Sequence, residues 1–145
     1  MNSISYPRMH VSLYVSDLNA SVSFYEKFFD QKASKVKQGY AKFELEHPSL
    51  IISFVENEKL VSNNFGHLGF QVENTEELKA RLGSAMTQKL PIDEEIGVNC
   101  CYAKQDKFWV TDPDNVQWEV YYFHSDSEFN DPRHTISAGC CEATA

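Results

Sequence analysis

The order of patterned segments in this chain occurs twice, and a repeat of whole supersecondary units restricts the fold more than any single segment does. "MHVSLYV" (9–15) alternates and is rich in β-branched residues, the mark of a strand. Ser16 or Asp17 then caps a helix in which Leu18, Val22, Tyr25 and Phe29 recur at helical spacing. Short strands follow over 33–38, 40–46 and 50–55, and the polar, turn-rich stretch 55–65 reads as a linker. The series then restarts. "HLGFQV" (67–72) is a strand, Asn74 with Glu77 resembles a capping box, and Leu78, Leu82 and Ala85 give the second helix its apolar stripe. Strands near 90–96, 101–110 and 116–123 complete the second series. "KFELEHP" (42–48) echoes "KFWVTDP" (107–113), and His10 and His67 open the halves 57 residues apart. The predicted fold class is α+β: two βαβββ modules, 8–56 and 64–123. They form a single domain over 1–125, followed by a flexible, cysteine-containing tail over 126–145.

A chain of 145 residues, 42% hydrophobic and 23% charged, is an ordinary globular composition. Such a chain hides roughly 70% of its unfolded surface on folding. The formal charge is −8 and Lys and Arg do not cluster, which argues against nucleic acid and anionic membrane as partners. No apolar run approaches the ~20 residues of a bilayer span. The N-terminal residues lack the pattern of a signal peptide, so a cytoplasmic location is the expectation. The four cysteines, Cys100, Cys101, Cys140 and Cys141, come as two adjacent pairs. A secreted disulfide framework spreads its cysteines along the chain, so these are expected to be reduced thiols.

Paired βαβββ modules that open on matched histidines resemble the vicinal-oxygen-chelate, or glyoxalase-like, superfamily, over roughly residues 8–123. The resemblance implies mixed, curved sheets and a divalent metal held between two modules. It places ligands at His10 on the first strand of module one, His67 on the first strand of module two, and Glu119 on the last strand of module two. The fourth ligand position of the superfamily falls at Ile52 or Ser53, neither of which is a metal ligand. Two imidazoles and one carboxylate leave up to three octahedral positions open, which suits ferrous iron that meets both oxygen and a substrate. Strand alternation sets Glu119 on the face opposite Trp118 and Val120.

Cys100 and Cys101 pose a separate question. A disulfide between neighbours closes a strained ring, and in a regular strand the two sulfurs point to opposite faces. Gly97 and Asn99 signal a turn just before them, where both thiolates can face one soft centre. Trivalent arsenic, with two thiolates and one carbon substituent, is such a centre. The string "CCYAKQDKFWVTDP", together with the three metal-ligand positions, is similar to the carbon–arsenic lyases and the cadmium-inducible proteins grouped with them. That resemblance implies O2-dependent cleavage of a trivalent organoarsenical by a non-haem Fe(II) enzyme. Cys100 and Cys101 would hold the arsenic, and arsenite is the implied product. Many relatives carry a second histidine two residues beyond the first, where this chain has Ser12. Cys140 and Cys141 are candidates for capturing the arsenical and passing it inward. The doublet is expected on a mobile loop over about 92–103 that closes on substrate. Lys104 or Lys107 would lower the thiolate pKa values if close to the sulfurs.

Two other readings stand beside this one. A glyoxalase, or a thiol transferase of the fosfomycin-resistance type, needs the metal ligands but not the cysteines. A non-catalytic arsenical or heavy-metal binder needs the cysteines but not the ligands. Whether the substituent on arsenic is methyl or aromatic, and whether the chain is a monomer or a homodimer, is open at this level.

Overall fold

The computed structural model describes residues 6–100 and 103–126, with side chains described over 6–95 and 106–124. Contacts divide the chain between Ser62 and Asn63 into two compact units. The first contains β1 (Met9–Val15), α1 (Leu18–Phe29), β2 (Lys35–Lys37), β3 (Tyr40–Leu45) and β4 (Leu50–Glu56). The second contains β5 (Leu68–Val72), α2 (Thr75–Thr87), β6 (Ile92–Cys100), β7 (Ala103–Thr111) and β8 (Gln117–Asp126). Their sheets have the same topology, β1-β4-β3-β2 and β5-β8-β7-β6. In each, the first strand pairs parallel with the last and the other pairings are antiparallel. The α+β reading of two βαβββ modules with mixed sheets is what the structure has.

In the first unit, strand alternation sends Ala41, Phe43, Leu45, Leu50, Ile52 and Phe54 to a buried face. Helix α1 covers it with Phe24, Tyr25, Phe28 and Phe29, all buried. Tyr25 stacks on Phe54 with ring centroids 4.3 Å apart, and Phe43 meets Phe54 edge-on at 6.0 Å. Such pairs add about 0.5–1.5 kcal/mol each beyond their buried area. The helix is fixed at both ends. Asp17 Oδ1 accepts from Ala20 N (3.1 Å), and Glu56 Oε2, at the end of β4, accepts from Leu18 N (2.8 Å). Asp30 closes it in the left-handed region (φ 50°). Truncating Phe54 to alanine is expected to cost about 3–5 kcal/mol, measured as a lower urea midpoint at unchanged denaturant slope.

In the second unit, Phe108, Val110, Trp118 and Val120 form the apolar face, with Val72, Leu78 and Ala85 also buried. Leu82 is only half-buried. The box expected at the start of α2 forms with one shift. Asn74 Oδ1 accepts from Glu77 N (2.8 Å), but the Glu77 carboxylate accepts from Glu73 N (3.1 Å), one residue before the cap. The β7–β8 turn is organised by Asp112, whose Oδ1 accepts from both Asp114 N and Val116 N at 2.8 Å.

The second unit corrects two expectations. The turn anticipated at Gly97 and Asn99, and with it a loop opening at residue 92, is instead strand. β6 continues to Cys100, Val98 pairs with Gln105 and Asn99 with Lys104, and Gly97 falls in a register irregularity between Glu95 and Val98. Nine residues of β7 offer a continuous ladder, and a bulge absorbs the residue that would otherwise break it. The last strand also runs further than expected, because β8 extends past residue 123 to Asp126. His124 belongs to it and pairs with Asp106 (2.9 Å). Residues 127–145 lie outside the described residues.

Candidate functional site

One face of the second sheet gathers the ionisable side chains. Because Trp118 and Val120 occupy the apolar face, Glu119 lies on the other one. Solvation is not its reason for being there. Its side chain is 8% exposed, and it is met by Lys107 Nζ at 3.1 Å from Oε2. Lys107 is itself fully buried, at 0% exposure. His67, one residue ahead of β5, brings its Nε2 to 3.9 Å from that same oxygen.

Trp109, the register partner of Glu119, holds this group from the side. Its indole meets the His67 ring edge-on at 4.9 Å, and its Nε1 donates to the buried Glu95 Oε2 at 3.3 Å. Lys107 Nζ lies 5.7 Å from the Trp109 ring centroid. The Tyr121 hydroxyl donates to Gln71 Oε1 at 3.4 Å. Burial, and secondarily the negative charge of Glu119, push its phenol above the ordinary tyrosine value. At neutral pH it is therefore a hydrogen-bond donor.

Gly69 allows β5 to lie this close. It is the register partner of Glu119 on the other side, and a methyl group there would overlap the Glu119 carbonyl oxygen and come within 3.0 Å of its Cβ. The sequence pattern assigns Gly69 no role and offers Lys107 only as a neighbour of the thiols. The spacing Lys107–Trp109 and Glu119–Tyr121 on adjacent antiparallel strands was the available signal. A lysine diagonally across from a glutamate, with a tryptophan directly opposite that glutamate, is a candidate buried pair. The aromatic residues of β7 divide between the two faces, Phe108 in the core and Trp109 at the site.

His10 lies on β1 of the first unit, exposed, on the same face as Ser12 and Tyr14. Ser12 pairs with Ser53 as Gly69 pairs with Glu119, so Ser53, not Ile52, stands at the position matching Glu119. Cys100 ends β6 opposite Ala103. Its side chain, Cys101, Cys140 and Cys141 lie outside the described residues.

The donor chemistry of His67 and Glu119 fits a divalent ion. Two ligands of one ion at about 2.0–2.2 Å are at most about 4.3 Å from each other, and the pair stands at 3.9 Å. Among the described residues no three His, Cys, Asp or Glu side chains are gathered to grip one ion.

The pattern of the Glyoxalase/Bleomycin resistance protein/Dioxygenase superfamily matches residues 9–120. The chain belongs to this superfamily. Among glyoxalase-like proteins of known structure, one from Alicyclobacillus acidocaldarius superposes with a TM-score of 0.69 at 15% identity, covering 83% of this chain and 93% of the other. That likeness concerns the fold. Sequence relatives lie nearer. A "Trivalent organoarsenical cleaving enzyme" of Bacillus sp. (strain MD1) is 40% identical over 146 residues, covering 94% of this chain and 91% of its own. A protein of the same description from Thermomonospora curvata is 36% identical over 121 residues, covering 83% and 80%. The "Cadmium-induced protein CadI" of Mycobacterium tuberculosis is 35% identical over 142 residues, covering 93% of each chain. This glyoxalase-like chain therefore falls, within its superfamily, among the organoarsenical-cleaving and cadmium-induced proteins. No helix among its described residues is long and apolar enough to cross a membrane.

Proposed function

We propose that this protein cleaves the carbon–arsenic bond of trivalent organoarsenicals, with His10, His67 and Glu119 holding Fe(II) and Cys100 and Cys101 holding the arsenic. The observation that carries this reading is the pairing of His67 with a buried Glu119 at 3.9 Å, in a chain that also has the Cys100–Cys101 doublet on the same module. The relatives described as cleaving organoarsenicals support it, because their similarity extends over 94% and 83% of this chain.

When bound, ferrous iron supplies the one-electron chemistry that lets ground-state O2 react with an otherwise inert bond. The rest falls to side chains. Two thiolates displace the oxygen ligands of the arsenical and fix its remaining carbon substituent. Trp109 walls the His67 imidazole and limits water at that face. The protonated Tyr121 hydroxyl, on the strand face of Glu119, is placed to donate a hydrogen bond. The overall reaction balances without an added reductant. Methylarsonous acid and O2 give formaldehyde and arsenous acid. Arsenic stays trivalent, the methyl carbon loses four electrons, and O2 accepts them.

The test is anaerobic reconstitution with Fe(II), followed by methylarsonous acid and oxygen. Arsenite and formaldehyde are expected to accumulate in equal amounts, with none from iron-free protein or from Glu119→Ala. Arsenite formation that persists in Glu119→Ala would overturn the reading. Turnover of a glutathione adduct with no arsenite formed would favour the glyoxalase or thiol-transferase alternative. Tight arsenical binding without products would leave a binder. Cys140 and Cys141 enter the proposal as a capture pair. Their removal is then expected to slow turnover at low arsenical concentration more than at saturation.

A further inference from the structure

Lys107 is a buried cation that the proposed chemistry leaves without a task. It lies on the carboxylate oxygen that the metal would need. Glu119 Oε2 is 3.9 Å from His67 Nε2 and 3.1 Å from Lys107 Nζ. An ion bound to His67 and that oxygen would stand a few ångströms from the lysine head, with little water between to screen the repulsion. Across the ladder on its other side, Lys107 is the register partner of Glu95. Glu95 is 4% exposed, and its Oε2 accepts from Trp109 Nε1. Directly opposed residues of an antiparallel pair put their Cβ atoms about 4.5–5.5 Å apart, within easy reach of a lysine side chain. Trp109 links the two sides of the site, its ring in T-shaped contact with His67 and its Nε1 on Glu95.

We propose that Lys107 is a resident cation that neutralises Glu119 while the metal position is empty and moves to Glu95 when a divalent ion arrives. The proposal rests on reading His67 and Glu119 as metal ligands. It gives the buried lysine and the buried Glu95 one shared function: the site carries a counter-charge in both states, and the metal binds against a competitor built into the sheet. Reversible rather than permanent loading follows, with metal affinity set by two residues that are not ligands.

The experiment measures Mn2+ binding to the full-length protein, from the loss of the free-ion electron paramagnetic resonance signal. Mn2+ prefers oxygen and nitrogen donors, so the four cysteines do not compete for it. Removing the competitor is expected to tighten binding by about tenfold or more in Lys107→Met and in Lys107→Gln. The metal-free forms should melt at lower temperature than wild type and regain most of the difference with Mn2+. Glu95→Gln keeps an acceptor for Trp109 but removes the second docking point, and is expected to weaken binding severalfold. Lys107→Arg retains the charge and should stay near wild type. Unchanged or weaker binding in both neutral Lys107 variants overturns the competitor role. Tighter binding in those variants with no effect of Glu95→Gln overturns the transfer to Glu95. Glu119→Gln separates the underlying reading. If it binds Mn2+ as wild type does, the metal assignment itself fails and the proposal falls with it.

Discussion

With Cys100 or Cys101 replaced by serine, the protein is expected to bind divalent metal as wild type does and yet release no measurable arsenite from methylarsonous acid. The reason is the hardness of the donor. Arsenic(III) exchanges its oxygen ligands for thiolate sulfur readily, whereas a serine hydroxyl, protonated at neutral pH, offers it no better partner than water. Losing one of two sulfurs also forfeits the chelate, so the substrate carbon is no longer held in one place. Correct placement of reacting groups accounts for several orders of magnitude in rate, so a loss of at least about a hundredfold is the expected scale. Arsenite and formaldehyde, quantified together over time, give the answer, with Mn2+ affinity as the control for the metal position. Cleavage at the wild-type rate in either variant would remove arsenic from the assignment. It would return the doublet to the ordinary behaviour of free cysteines as small buried hydrophobes. The same pair of variants set beside Glu119→Ala distinguishes the alternatives. A glyoxalase tolerates the serines and not the alanine, and a binder the reverse.

Periodicity made the architecture legible, because each module has one continuous apolar face. Phe43, Leu45, Ile52 and Phe54 are buried by a two-residue repeat that cannot slip without exposing them all. Leu18, Tyr25 and Phe29 define the matching stripe of α1. The end of β6 was not legible, and the cause is local. Gly97 and Asn99 are turn formers in isolation, but the long facing strand β7 outweighs their preference by pairing through a bulge. In the second module, His67 stood out because the duplication aligns it with His10, and Glu119 because the superfamily resemblance places a ligand there, as a charged residue between Trp118 and Val120. Lys107 could not be read with the same ease. In sequence, a buried lysine and a solvated one look alike, and only cross-strand register tells which carboxylate it meets. Gly69 was hidden for a different reason. Nothing in "HLGFQV" distinguishes a glycine that weakens a strand from one that admits a neighbouring backbone.

Gly69→Ala is accordingly expected to damage the site without touching any proposed ligand. The added methyl group would overlap the Glu119 carbonyl oxygen, and backbone on both sides leaves no flexible side chain to move aside. β5 and β8 must therefore separate at the point where Gly69 faces Glu119. His67 lies two residues upstream on the same segment, so separation widens the 3.9 Å gap between Nε2 and Oε2. Forcing a methyl group into a packed position costs about 1–3 kcal/mol in stability. Displacement of a catalytic group by about 1 Å can cost on the order of a hundredfold in rate, so the site should lose more than the fold. A control lies in the same unit. Gly83 sits in α2 with open space where a methyl group would go, and Gly83→Ala is expected to stabilise the protein by about 0.5–1 kcal/mol. Thermal unfolding, Mn2+ affinity and arsenite release measured on both variants check the argument. A Gly69→Ala protein that melts and binds Mn2+ as wild type does would mean that the two strands have room to spare, and that their close approach has no part in setting His67 against Glu119.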